Sequence, residues 1–115
     1  GLVTLLTPDE VGSLSAAIDA LATDGQRSLR IVGGSHLMPQ VTAMGCALSA
    51  LVAGFVAIAP DQPLAAAVAA AQVFAAAGQR AQEQAAGPGS FLPAFLDALY
   101  LLQPADLALC PATPS

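Results

Sequence analysis

The chain has 115 residues, enough for one ordinary domain, and 56% of them are apolar, which gives ample material for a core and excludes a disordered chain. A net charge of −5, with three basic residues that are all arginine, excludes a nucleic-acid surface, which needs clustered cations to displace phosphate counterions. The absence of lysine also excludes a P-loop, so any phosphate must be held by backbone N–H groups, an arginine, a metal or another chain.

Leu2 to Leu6 is a short apolar run readable as a buried strand, although too brief to separate from a helix by period alone. Thr7-Pro8-Asp9-Glu10 has the order of a helix start, with Thr as cap, Pro at the first position and Glu at the third. The spacing of Val11, Leu14, Ile18 and Leu21 then predicts a helix from Pro8 to about Ala22, ended by a turn at Asp24-Gly25. Arg27 to Val32 reads as a strand with Leu29 and Ile31 on one face and Arg30 on the other. Gly33-Gly34 breaks it, and Ser35 to Gln40 is an irregular approach, because Pro39 cannot donate to a sheet ladder.

A helix is predicted from about Ala43 to Ile58, bounded by Pro60-Asp61, and a long alanine-rich helix from about Gln62 to Ala86. The first half of the latter is uncharged and should be buried, while Gln79 to Gln84, with Arg80 and Glu83, must reach solvent. Gly87-Pro88-Gly89 stops it. Ser90 is placed to cap a third helix whose apolar stripe is Phe91, Phe95, Leu96, Leu99 and Leu102, closed by Pro104. This organisation is one domain over residues 1–102 and a loose, Pro-rich tail over 103–115.

Val41 to Ala50 is the segment with chemistry in it. A loop of small residues opens into an apolar helix, and the first N–H groups of a helix have no intrahelical partner, so an anion can lie against them where no bulky side chain intervenes. Gly45 gives that access. The same partial positive charge favours an anionic side chain, which makes Cys46, in the first turn, a candidate base or nucleophile. The alternative is that Cys46 is one more small buried hydrophobe. Cys46 and Cys110 lack Cys-x-x-Cys spacing, so neither a metal site nor a disulfide framework is read, and a reducing cytoplasm is the default. The run from Val41 to Ala59 is apolar enough to suggest a membrane span, but its flanks lack Lys and Arg and no aromatic belt marks either end. It reads instead as a helix buried on most sides in a layered protein. His36 is a lone imidazole of a loop, Asp97 a solvated residue, and Met38 and Met44 are packing residues by default.

The block from Leu37 to Val52, containing Val41-Thr42-Ala43-Met44-Gly45-Cys46, resembles the nucleotide-site segment of hydroxyethylthiazole kinases, thiamine-salvage enzymes of the ribokinase-like superfamily. Gly87-Pro88-Gly89-Ser90-Phe91 with Phe95-Leu96-Asp97-Ala98-Leu99-Tyr100 is similar to that family's C-terminal signature. Thr23-Asp24-Gly25 and Gly33-Gly34 fit its approach to the active site, so the resemblance runs from about Thr23 to Leu102. It implies an α/β chain, the mostly helical C-terminal part of an αβα three-layer fold with few strands. It implies a transferase that moves the terminal phosphate of ATP, with Mg2+, to the hydroxyl of 4-methyl-5-(2-hydroxyethyl)thiazole. Cys46 would be the catalytic base, Thr42, Ala43, Met44 and Gly45 the phosphate loop, and Ser15 and Ala16 a nucleotide contact. The family's trimer implies a homo-oligomer, or else pairing with a complementary N-terminal half. A chain this short can hardly cover both faces of a parallel sheet, so the expectation is a kinase segment incomplete or inactive by itself. The competing expectation is a non-catalytic, alanine-rich helical interaction module.

Overall fold

The turn signalled by Asp24-Gly25 organises the sheet. In the computed structural model, which describes residues 4–6, 19–35, 37–38 and 44–114, Asp24 Oδ1 accepts hydrogen bonds from the backbone N–H groups of Gln26 (2.9 Å) and Arg27 (2.8 Å). Those two donors hold the Asp24 carboxyl below the usual carboxylate range. Thr23 Oγ1 accepts from the Gly25 N–H at 3.1 Å and donates to the Arg27 carbonyl at 3.0 Å. Gly25 takes the left-handed φ of +91° that such a tight reversal needs. Strands β2 (Asp19–Thr23) and β3 (Ser28–Val32) leave this turn as an antiparallel pair, with Ala22 opposite Leu29 and Ala20 opposite Ile31. Strand β1 (Thr4–Leu6) pairs with β2, again antiparallel.

This corrects the helix expected from Pro8 to about Ala22. Most of that stretch lies outside the described residues, but Asp19 to Thr23 is strand. The apolar residues from Ile18 to Ala22 satisfy either period, and the hairpin decides, because Ser28–Val32 sets a residue opposite each residue of β2 across the turn.

Three helices follow: α1 (Met44–Ile58), α2 (Pro63–Gln84) and α3 (Pro88–Leu101). Their bounds lie close to those expected. Ser90, however, is not the cap of α3. Pro88 opens the helix, as its fixed φ and missing N–H allow, and Ser90 Oγ within the first turn accepts from the Ala86 N–H at 3.0 Å. Among the described residues, no helix is long and apolar enough to cross a membrane.

Helix α2 is the centre of the molecule. On one side Leu64, Val68, Ala71, Ala75 and Ala76 pack against Ala22 and Ile31 of the sheet, with Leu29 at the margin. On the other, Phe74, Ala77 and Ala81 meet Met44 of α1 and Phe91 and Phe95 of α3. The Phe74 and Phe95 rings meet edge to face with centroids 5.0 Å apart, and Phe91 stacks on Phe95 at 5.9 Å. The result is an α/β arrangement, mostly helical with few strands, as expected.

The expected loose tail is a second correction. Residues Pro104–Leu109 form a 3-10 helix, and β4 (Ala112–Pro114) pairs antiparallel with β3, completing a sheet of order β1-β2-β3-β4. Two anchors hold this segment. Asp106 accepts from the Gln103 N–H at 2.8 Å and from the Arg80 guanidinium at 3.0 Å. Cys110 is fully buried; its Sγ donates to Gln79 Oε1 at 3.4 Å, and Gln72 Nε2 donates to its carbonyl at 3.1 Å. Burial pushes the Cys110 thiol pKa up. Gly33, at φ +140°, leaves the space this sulfur occupies, since a Cβ there would collide with Cys110 Sγ. Pro104 and Pro114 sit where their missing N–H is tolerated, at the start of the 3-10 helix and on a sheet edge.

Replacing Phe95, which is 1% exposed, by Ala removes both ring contacts and should cost about 3–5 kcal/mol, read from the midpoint of urea unfolding. The Gln103 and Arg80 donors hold the Asp106 carboxyl below its usual range. Its contribution to stability is therefore complete above the unfolded carboxyl pKa and is lost as pH falls through the lowered folded value. An NMR titration of the Gln103 amide should show this low midpoint, and Asp106→Asn should abolish it.

Candidate functional site

The sequence dictates which side of α1 faces inward. Met44, Leu48 and Leu51 recur at helical spacing and pack on the α2–α3 cluster, with Met44 only 6% exposed. Cys46 lies off that stripe, so it is an exposed free thiol in the first turn of the helix. Within this chain, then, Cys46 is not a buried hydrophobe. Its helical neighbours Ser49, Ala50, Ala53, Gly54 and Ala57 are also exposed, giving α1 an outer face of small, uncharged side chains. No acidic side chain stands in the first turn, so nothing there offsets the partial positive charge at the N-terminal end of the helix.

Of the residues read from sequence as site candidates, the structure places Met44, Gly45 and Cys46 together at this helix start. Met44 turns its side chain into the core, so only its backbone can face a ligand. Thr42 and Ala43, the proposed nucleotide contacts Ser15 and Ala16, and His36 lie outside the described residues. Asp97 is exposed on α3, as expected of a solvated residue.

Sequence reasoning missed the way the approach to this helix is built. Gly33 and Gly34 both take left-handed φ values, +140° and +105°, and turn the chain from β3 into Ser35. Ser35 is 1% exposed, its Oγ accepts from the Leu37 N–H at 3.1 Å, and its carbonyl accepts from the Met38 N–H at 3.1 Å. A serine directly after a glycine pair is the available signal, because such hydroxyls cap short turns in place of backbone groups.

A groove of about 640 Å³ opens elsewhere, between the C-terminal half of α2, α3 and the 3-10 helix. Arg80 shares its walls with three carboxylates, Glu83, Asp97 and Asp106, and pairs with the first and last of them; Cys46 is not among its walls. A wall with that excess of negative charge repels a polyphosphate. Among the described residues, no three His, Cys, Asp or Glu side chains converge to hold a metal ion.

Comparison with known proteins bears on the fold and the family. Residues 9–105 match the family model described as the Hydroxyethylthiazole kinase family, so the likeness begins well upstream of Thr23. A hydroxyethylthiazole kinase of Rhizobium rhizogenes is 60% identical over 80 residues, 70% of this chain and 30% of that protein. One of Rhizobium leguminosarum bv. trifolii is 54% identical over 90 residues, 78% of this chain and 33% of that protein. The solved hydroxyethylthiazole kinase of Pyrococcus horikoshii superposes with a TM-score of 0.78 at 31% identity, over 84% of this chain and 38% of that one. The chain thus spans about a third of the length of the curated relatives it matches. With most of its residues inside the family model and its helices and sheet superposing on a member's, the chain belongs to the hydroxyethylthiazole kinase family.

Proposed function

We propose that this chain carries the phosphoryl-transfer segment of a kinase that moves the terminal phosphate of ATP to the hydroxyl of 4-methyl-5-(2-hydroxyethyl)thiazole. The observation that carries this reading is the exposed Cys46 thiol in the first turn of α1, where no carboxylate competes for the helix N-terminus. Family membership supplies the reaction class. In this reading the backbone N–H groups of Thr42, Ala43, Met44 and Gly45 hold the transferred phosphate, and Ser15 and Ala16 contact the nucleotide. As the alcohol oxygen bonds to the terminal phosphorus, the bond from that phosphorus to the bridging oxygen breaks and ADP leaves. The Cys46 sulfur takes or orients the alcohol proton. Such a transfer asks mainly for positioning and charge stabilisation, which helix-start N–H groups supply. Magnesium would neutralise phosphate charge, but the described residues offer no cluster of three His, Cys, Asp or Glu side chains to hold it.

Leu92, Leu96 and Tyr100 follow one another along the outer face of α3 and are 41%, 56% and 88% exposed. An apolar stripe of this kind supports assembly with further protein, either a trimer of like chains or a complementary kinase segment. The exposed free thiol suits a reducing compartment such as the cytoplasm. The small-residue outer face of α1 favours a second reading, in which the chain is a helical interaction module and Cys46 is part of a contact.

Two measurements separate these readings. In native protein, iodoacetamide should modify Cys46 alone, with Cys110 reacting only after denaturation, as counted by mass spectrometry. Transfer from ATP to the thiazole alcohol, assayed on the chain alone and mixed with a segment supplying the other two thirds of a relative, should fall about 10²–10⁴-fold in Cys46→Ala. Transfer undiminished by that substitution takes Cys46 out of the chemistry, and no transfer in either preparation leaves the interaction module.

A further inference from the structure

Before Arg80, helix α2 carries only two polar side chains, Gln72 and Gln79. They stand about two turns apart on one face, and both bond the same residue of the C-terminal segment. Gln72 Nε2 donates to the Cys110 carbonyl and Gln79 Oε1 accepts from the Cys110 thiol, so one residue is clamped by its backbone and by its side chain. Gly33 completes the seat. A Cβ there would also lie 3.0 Å from Cys110 Cβ and 3.4 Å from its Cα, and at φ +140° any side chain is strained.

Elsewhere the segment has little apolar anchorage. Over residues 103–114 Cys110 is the one fully buried residue, and the 3-10 helix buries none. Polar contacts do most of the joining: the Arg80–Asp106 pair, the two glutamine bonds, the Val32 N–H to the Pro111 carbonyl at 3.3 Å, and the β3–β4 ladder. The segment leaves α3 through an extended link at Leu102 and Gln103. A region with so few buried apolar contacts opens at lower free energy than the core, whose large buried side chains, Phe91, Phe95 and Ile31, lie outside it. Its two halves are joined at the clamped residue. The Cys110 N–H bonds the Leu107 carbonyl at 3.1 Å and ends the 3-10 helix, and Pro111 directly after it begins the contact with β3.

We propose that residues 103–114 are a strap that opens and closes as one unit over α2 and β3, latched by the Gln72–Cys110–Gln79 clamp, while the three helices and strands β1 to β3 stay folded. Opening takes Asp106 out of the wall of the groove and leaves Arg80 paired with Glu83. The closed form predominates, so brief treatment with iodoacetamide still finds Cys46 alone.

Amide hydrogen exchange of the whole chain, followed by NMR, reads the opening directly. Three amides report on the strap: Asp106, Cys110 and Val32, the last because its acceptor is Pro111 although it belongs to β3. Their protection factors should agree within about threefold and lie at least about tenfold below those of the α2 amides at residues 70–77. Gln72→Ala and Gln79→Ala, each removing one side-chain bond, should lower all three together, by about three- to tenfold. Phe95→Leu, which weakens the helical core and not the strap, should lower protection in α2 and leave the three strap amides as they were. Strap amides as protected as those of α2, or falling with them in Phe95→Leu, overturn the separate opening. Protection that differs among the three, or a Gln72→Ala effect confined to Cys110, overturns the single unit. Protection unchanged in both glutamine variants overturns the latch.

Discussion

Among the described residues, the sheet and the other two helices are held by contact with one helix whose buried positions are mostly alanine. Small side chains on both sides of α2 let the sheet approach from one direction and α1 and α3 from the other, so a single element serves two cores. Alanine buries little area, and the apolar payload must come from the partners. Ile31 supplies it on the sheet side and Phe91 and Phe95 on the helical side, each at most 1% exposed. A chain with few aromatic residues has placed three of its four phenylalanines in one cluster around the middle of α2.

The position of Cys46 follows from that constraint. Helix α1 carries no charge to tell its faces apart, and what orients it is size. The larger Met44, Leu48 and Leu51 turn toward Phe74 and the α3 rings, and the small residues, Cys46 among them, are left outside. The thiol is exposed because the opposite face of its helix is the better filler.

Much of this was legible in the sequence. The three helices, their proline and glycine boundaries, and the strand at Arg27 to Val32 all follow from period and punctuation, because those signals are local. The family was legible in the two blocks around Cys46 and around Gly87 to Tyr100. Three things were not legible. Asp19 to Ala22 satisfied the helical and the extended period equally, and only a partner strand decided between them. The tail was read as loose because its prolines break local patterns, whereas its order comes from the Arg80–Asp106 pair and the buried Cys110, contacts remote in sequence. At the site, spacing placed Cys46 in the first turn but could not tell its inner from its outer face in a helix that is apolar all round.

The pairing of β4 with β3 joins residues 29–31 to residues 112–114. Between them lie the three described helices, so this pairing closes a loop that contains most of the described residues. During synthesis, β3 must wait with its β4 edge unpaired until residues 112–114 have left the ribosome, while the helices, built from local contacts, can already form. The open edge is a template for pairing with other chains for as long as that wait lasts. A chaperone or a slow stretch of translation acting on this protein would matter most over that interval, when the helices are made and the edge is still bare.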